Sequence, residues 1–542
     1  MLHQNDIKDS AGPAPRCPEA DSLGRNLPFD PLYRPWGLWK MLPGNARIAF
    51  LSAALFAAIT HLYAFVHILV NHDSTSTFYC TSNFLDLARW ASLPATALDS
   101  NVTLPVIMGV LSVLYLAATA ALTVSILNIT LPLNIILVSA FITTFPPLVS
   151  VFAYASEWFL AALVLNAAGA FVVKKYRRGW IPGILLITLG LGVYQSYLAY
   201  AIGLFLFDCI LSLLAKEDTL TVIKRGIKYV LVLLVSIVLF YVVLQVALRL
   251  TGIALRDYKG LNTMGFSQVG TYLASIPTAY RDYFSFFIHT DYLSQPIQYL
   301  QNILFLLGAC AYGYLVFFRR SWRNPAALAL QMAGFGLLPL ALSITSAITS
   351  AQVNTLNQYA YVLHFVFCLK LLEQAVQDGM VQKARKALSV YALSALLCVC
   401  MLWSNLCLDN LAYVQMKVMY DNSLSLGTRI TARVETVEEY TPDTPVVFIG
   451  IPNYRDLYMH ASALFPETGS LIGVNNLPIG AYSTRAFFKY FVGIDFPGIN
   501  GEQRALLEES DIIASMPCYP EKGSVIYYEG MILIKLSDGA IY

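Results

Sequence analysis

The sequence predicts a polytopic α-helical membrane protein of about eleven spans, with its N-terminus inside and its C-terminus outside, closed by a small α+β domain. Three observations predict it. Of 542 residues, 57% are hydrophobic and only 13% charged, and mean hydropathy is +0.60, too apolar a balance for a water-facing globule. Apolar runs near the roughly 20 residues that cross a bilayer core recur along the chain. Every dense Lys/Arg cluster falls in alternate gaps between those runs: Arg34/Lys40/Arg47, Lys174/Lys175/Arg177/Arg178, Lys216/Lys224/Arg225/Lys228, Arg319/Arg320/Arg323 and Lys370/Lys383/Arg385/Lys386. The positive-inside rule makes these gaps cytoplasmic.

Residues 1–46 are polar and aperiodic, and read as a cytoplasmic tail. The first apolar run starts near Arg47, too late for a cleaved signal peptide, so it reads as a retained helix. The runs are about 47–70, 103–127, 131–150, 157–173, 180–194, 196–214, 228–250, 297–318, 325–347, 356–376 and 387–407. Trp180–Leu214 is too long for one span. A break at Tyr194-Gln195-Ser196-Tyr197 keeps the basic clusters on one side. The transmembrane region is then 47–411, with outside loops at 71–102 and 251–296, and residues 412–542 form the outside α+β domain. There Pro445–Ile451 reads as a strand, Ser524–Leu536 as a hairpin turning at Glu529-Gly530, and Glu502–Ser510 as a helix. In the 251–296 loop, Val269, Tyr272, Leu273, Ile276, Tyr280, Phe284 and Phe287 recur at helical spacing, interrupted at Pro277. This fits either an interfacial helix or a helix packed on the bundle.

The outside loops hold the isolated ionisable groups. Asp73 directly follows the first span in Asn71-His72-Asp73. It is either a solvated helix-end acid or a general base for a hydroxyl. Glu157, among Tyr154 and Trp158 at the mouth of two spans, either faces a cavity or favours the start of the following helix. Tyr194, Gln195 and Tyr197 offer phenol and amide groups that suit sugar hydroxyls or interface anchoring. Arg89, Arg256, Lys259, Arg281 and His289 are nearly the only cations of the two long outside loops, and a lipid phosphate needs such partners.

Other functions lose their signals. The chain has no P-loop, no HExxH, no Cys/His metal spacing and no Asp-x-Asp, so no resident cofactor is predicted and a divalent metal ion has no sequence support. A net charge of +2 without a basic aromatic-rich patch argues against nucleic acid. Nine cysteines show no paired spacing; only Cys80 and Cys518 fall clearly in outside segments, and whether they pair is open.

A first helix, an outside loop opening on an acid, many further helices and an outside C-terminal domain resemble the plan of the C-type (GT-C) glycosyltransferases. More narrowly, the chain resembles the bacterial type II glucosyltransferases that decorate O-antigen in serotype conversion. The matching residues are Asp73; Ala88-Arg89-Trp90, similar to the family's Gly-Arg-Trp; Phe145-Pro146 with Tyr154 and Glu157; and Gly192-Val193-Tyr194-Gln195-Ser196-Tyr197, similar to a family Tyr-Gln motif. The likeness is fullest over residues 47–215. Two departures stand out: a single Asp where an acidic pair is expected, and Ala88 in place of Gly.

The resemblance implies an inner-membrane transferase with its site facing the periplasm. It would move a sugar, glucose in the family, from a polyprenyl-phosphate donor to lipid-linked O-antigen or a similar surface glycan, alongside a companion flippase and a lipid-sugar synthase. Asp73 and Glu157 would be catalytic. Arg89, Arg256, Lys259 and Arg281 would hold the donor phosphate, and Trp90, Tyr154, Tyr194, Gln195 and Tyr197 would bind sugar or acceptor. A lipid-linked-sugar transporter or flippase, an O-antigen polymerase or ligase, and a scaffold in an envelope complex remain alternative readings.

Overall fold

A computed structural model describes residues 39–77, 84–258, 262, 268–349, 354–453, 465, 468–473, 478–508 and 510–542. Lys259 and Cys80 lie outside the described residues. The chain is mainly helical: α1 (Gly44–Val66), α2 (Pro105–Leu127), α3 (Pro132–Thr144), α4 (Pro147–Ala153), α5 (Phe159–Lys175), α6 (Trp180–Val193), α7 (Leu198–Leu214), α8 (Thr219–Thr251), α9 (Ile276–Ile288), α10 (Gln295–Phe318), α11 (Pro325–Leu342) and α12 (Val362–Glu435). Proline opens α2, α3, α4 and α11, where its missing N–H costs nothing. The Asp218 carboxylate accepts the Thr221 N–H to start α8, and Gly252 at φ 69° ends it.

Each of the eleven expected apolar runs falls on a helix, but they are unequal. By length and composition, eight helical stretches among the described residues can cross a bilayer, or nine if α3 and α4 are one span bent by 42°. The bend falls at Phe145-Pro146, where proline interrupts the helical bonding. The break at Tyr194 is also present: α6 stops there and a 3₁₀ turn, Gln195–Tyr197, leads into α7. Helical bonding is continuous through α12. Yet Cys368 lies close to Cys398, and Glu373 to Tyr391, so the chain doubles back between two arms, Thr355–Gly379 and Leu388–Glu435. The second arm runs unbroken through residue 411, so the sheet-bearing region begins beyond Glu435.

Alanines let α1 and α2 approach closely. Ala49, Ala53 and Ala57 meet a neighbour bearing Ala117 and Ala120, all fully buried. Such small-residue seams suit helices whose outer faces see lipid. In the region 251–296, a short helix ends at Ser275 and α9 starts with Pro277 in its first turn. Tyr283, Phe286 and Phe287 pack on the bundle at Tyr361 and Phe365, while Val269, Leu273 and Phe284 are exposed. The C-terminal region carries β1 (Val446–Ile449), β2 (Val525–Tyr528) and β3 (Met531–Lys535) in the order β1-β3-β2. β3 pairs parallel to β1 and antiparallel to β2. Glu529 and Gly530 both take positive φ, as a tight two-residue hairpin requires.

The basic gaps gather at one end of the bundle. Lys174 reaches the Ile126 carbonyl and Asp208, Lys228 the Val173 carbonyl, and Arg319 bonds Asp378 at 2.6 Å. Lys370 bonds the Asn128 carbonyl (2.7 Å) and Glu373 (2.8 Å). The buried Glu373 carboxylate also accepts the Thr130 and Leu131 N–H groups at the start of α3. Removing one charge of this pair leaves the other buried and alone. Lys370→Met is therefore expected to cost about 3 kcal/mol or more. Adding Glu373→Leu should recover part of it, measured as unfolding midpoints in detergent.

Candidate active site

Opposite the basic end, the chain leaves α1 through a turn built by Asn71. Its side-chain oxygen accepts the N–H groups of Asp73 (3.0 Å) and Ser74 (3.1 Å), and Ser74 Oγ accepts the Asn71 N–H at 2.7 Å. This Asx turn holds Asp73 at its tip. The Asp73 carboxylate is about half exposed and lies 3.6 Å from His72 Nε2. Tyr482, from the C-terminal region, donates its phenol to Asp73 Oδ1.

Arg89 stands in the same cluster. Its guanidinium lies over the rings of Phe159 (5.0 Å), Tyr194 (5.1 Å) and Phe84 (5.8 Å), each a cation–π arrangement. Its Nε is buried without a hydrogen-bond partner, and among the described residues no carboxylate pairs with it. Burial pulls its affinity for a proton down, while Tyr194, Tyr258, Asp86 and Asp73 pull it back up. A largely enclosed guanidinium with an unused Nε donor has the chemistry to receive an anion.

The local fold explains the placement. Ala88 adopts φ 58°, turning the chain sharply before Arg89. Gln195 Nε2 donates to the Ala88 carbonyl at 2.7 Å, and Ala91 N–H bonds the Gly192 carbonyl at 2.9 Å. Trp90 lies flat on Gly192, where any Cβ would come within 2.6 Å of the indole. Tyr194 stacks on Phe159 at 3.7 Å and bonds Asn357, which also accepts from Ser196 at 2.9 Å.

Tyrosines ring the gap between acid and cation. Tyr154 sets its ring edge-on to His72 at 5.6 Å, and burial raises its phenol to about 12, so it stays a neutral donor at physiological pH. Burial raises Tyr258 and Tyr482 as well, the latter also through its bond to Asp73. Arg256 closes one edge on Asp86 at 2.6 Å. The C-terminal region covers another: Ser150 bonds the Leu471 carbonyl (2.8 Å), and Gly473, at φ 74°, passes so close that a Cβ would sit 2.9 Å from the Tyr154 hydroxyl. Among the described residues no three His, Cys, Asp or Glu side chains form a metal cluster.

The family described as "Glucosyl transferase GtrII" matches residues 62–372, more than half of the chain. The chain belongs to that family. No curated protein and no solved structure matches it. GtrII membership makes it a glucosyltransferase, and its long apolar helices make it a membrane protein.

In this GtrII chain, Asp73, Arg89, Tyr154 and Tyr194 meet at one site, with Arg256 at its edge. Gln195 and Trp90 serve the backbone that carries Arg89. Glu157 is buried at the start of α5, 3% exposed. Tyr197 is fully buried, edge-on to Tyr194 and Tyr359, and faces the core. Arg281 is three-quarters exposed on α9 beside Asp282, 3.8 Å away. Sequence reasoning missed His72, Asp86, Tyr258, Asn357 and Tyr482. The first three sit one to three residues from flagged positions, a usable signal. Asn357 and Tyr482 have no local one.

Ala88 tests the turn. Gly should be tolerated, because left-handed φ costs it nothing. Ala88→Val should displace Arg89 and Trp90, since a β-branched residue resists that conformation. Transfer assays beside thermal unfolding should show full activity for the first and at least tenfold loss for the second.

Proposed function

We propose that this GtrII protein transfers glucose from a polyprenyl-phosphate donor to a hydroxyl of O-antigen or a related surface glycan, at the periplasmic face of the bacterial inner membrane. The observation that carries this reading is the cluster of Asp73 and Arg89 at the end opposite the basic gaps. The positive-inside rule assigns that end to the periplasm. Sugar nucleotides are absent there, so the sugar arrives on a lipid supplied by a synthase and a flippase.

The acceptor oxygen attacks the anomeric carbon and the sugar–phosphate C–O bond breaks. Asp73 takes the hydroxyl proton, and the polyprenyl phosphate departs with its charge against Arg89, helped by Arg256 and by the outer-loop cation Lys259. Glu157 orients the acceptor or shares the base role. Tyr154, Tyr194 and Tyr258 offer hydrogen bonds and ring faces to the sugar. Tyr482 holds Asp73 until the acceptor hydroxyl takes its place. The C-terminal region docks the acceptor glycan.

The test is transfer of labelled sugar from undecaprenyl-phosphate glucose to host lipopolysaccharide in membranes. Asp73→Asn should reduce transfer by about 10²–10⁴-fold, the usual worth of a general base, with expression unchanged. Retained transfer removes Asp73 from that role. Glu157→Gln, run beside it, should slow transfer if Glu157 shares the work. Arg89→Lys should raise the donor KM, because an ammonium lacks the two-pronged fork. Movement of lipid-linked sugar without new glycosidic bonds would instead favour a transporter.

A further inference from the structure

A second cleft lies at the same end of the bundle. It is an open cleft of ≈ 210 Å³ lined by α9, the α9–α10 turn, the 355–358 segment and Ser470. Its lining is mostly polar. Asp282 and Asp291 can accept hydrogen bonds, Gln358 and His289 can donate and accept, and Phe286 and Tyr292, nearly buried, form its aromatic floor. Among the described residues no Lys or Arg lines it, and a phosphate or another anion would meet two carboxylates against the single imidazole of His289. Hydroxyl-rich neutral groups suit such a lining: carboxylate and amide oxygens accept from sugar O–H groups, and aromatic faces cover sugar C–H surface.

The cleft is built rather than incidental. Gln298, 1% exposed, donates to the Thr290 carbonyl (2.8 Å) and hydroxyl (3.0 Å), fixing the rim. Thr355 Oγ donates to the Ser470 carbonyl at 2.9 Å, joining the opposite walls. The same strip of chain leads to the Asp73 site. Ser470 precedes Leu471 and Ile472, whose carbonyls hold Ser150 and Asn71, and Gly473 lies against Tyr154. Two residues on from Thr355, Asn357 holds Tyr194. The two sites therefore share walls.

We infer that this cleft is a glycan subsite, which binds a neutral sugar of the acceptor chain away from the hydroxyl being modified. The inference rests on the acceptor being a surface glycan. Its test separates the two. Lipid-free O-antigen polysaccharide, released from the host lipopolysaccharide, is titrated calorimetrically into full-length protein in detergent. The proteins are wild type, Asp291→Asn and Ser285→Trp, whose bulk fills the cleft, all checked for folding by thermal unfolding. Expected is binding by wild type, weakened about tenfold by Asp291→Asn, as loss of a charge-assisted hydrogen bond gives, and abolished by Ser285→Trp. In transfer assays the acceptor KM should rise in both variants while the donor KM holds. Equal polysaccharide binding by all three proteins, or none by wild type, overturns the subsite. Transfer absent from wild type that still binds polysaccharide through the cleft sinks the transferase reading alone.

Discussion

One positive charge boxed in by aromatic rings, Arg89, organises the end of the bundle opposite the basic gaps. Taking a guanidinium out of water without a counter-ion costs several kcal/mol, and three aromatic rings return only part of that. The rest is held by the fold. Ala88 turns the chain against its preference, Gln195 fixes the carbonyl of that turn, and Trp90 wedges onto Gly192. Tyr194, one wall of the box, is fixed in turn by Asn357 from a distant segment. Held at such expense, the guanidinium still keeps a buried Nε with no hydrogen-bond partner among the described residues.

The opposite end solves the reverse problem. There the charges are many and are satisfied internally. Lys174, Lys228 and Lys370 end on backbone carbonyls, and Glu373 closes the start of α3. These groups fasten helices together. At the other end the Arg89 guanidinium keeps an unbonded Nε and is surrounded by aromatic rings and phenols. Division of labour between two ends of a bundle follows from which polar groups are spent on the fold.

Much of this was legible in the sequence, for physical reasons. Hydropathy located the helices because lipid demands long apolar stretches. Alternating Lys and Arg placed the break at Tyr194, which local propensity alone hides. Asp73 and Arg89 stood out because charge is rare in such a chain. What failed to show is what only the fold brings together. Tyr482 looks like any tyrosine of a polar region, and Asn357 like any loop amide. Tyr197 looked like Tyr194, but three residues on, at the end of the 3₁₀ turn, its ring is wholly enclosed against Tyr194 and Tyr359. The reversal within α12 depends on packing that no local pattern records.

The bond between Tyr482 and Asp73 spans 409 residues of chain. A ribosome adding about 5–20 residues per second needs roughly 20–80 s to make that stretch. Throughout that interval the nascent protein already carries its first loop and its carboxylate in the membrane. The covering strip and the phenol do not yet exist. A half-made copy therefore holds its first-loop acid without the parts that cover it. Reliance on a side chain synthesised so late makes the finished C-terminal region a condition for an ordered site, and couples completion of the polypeptide to competence.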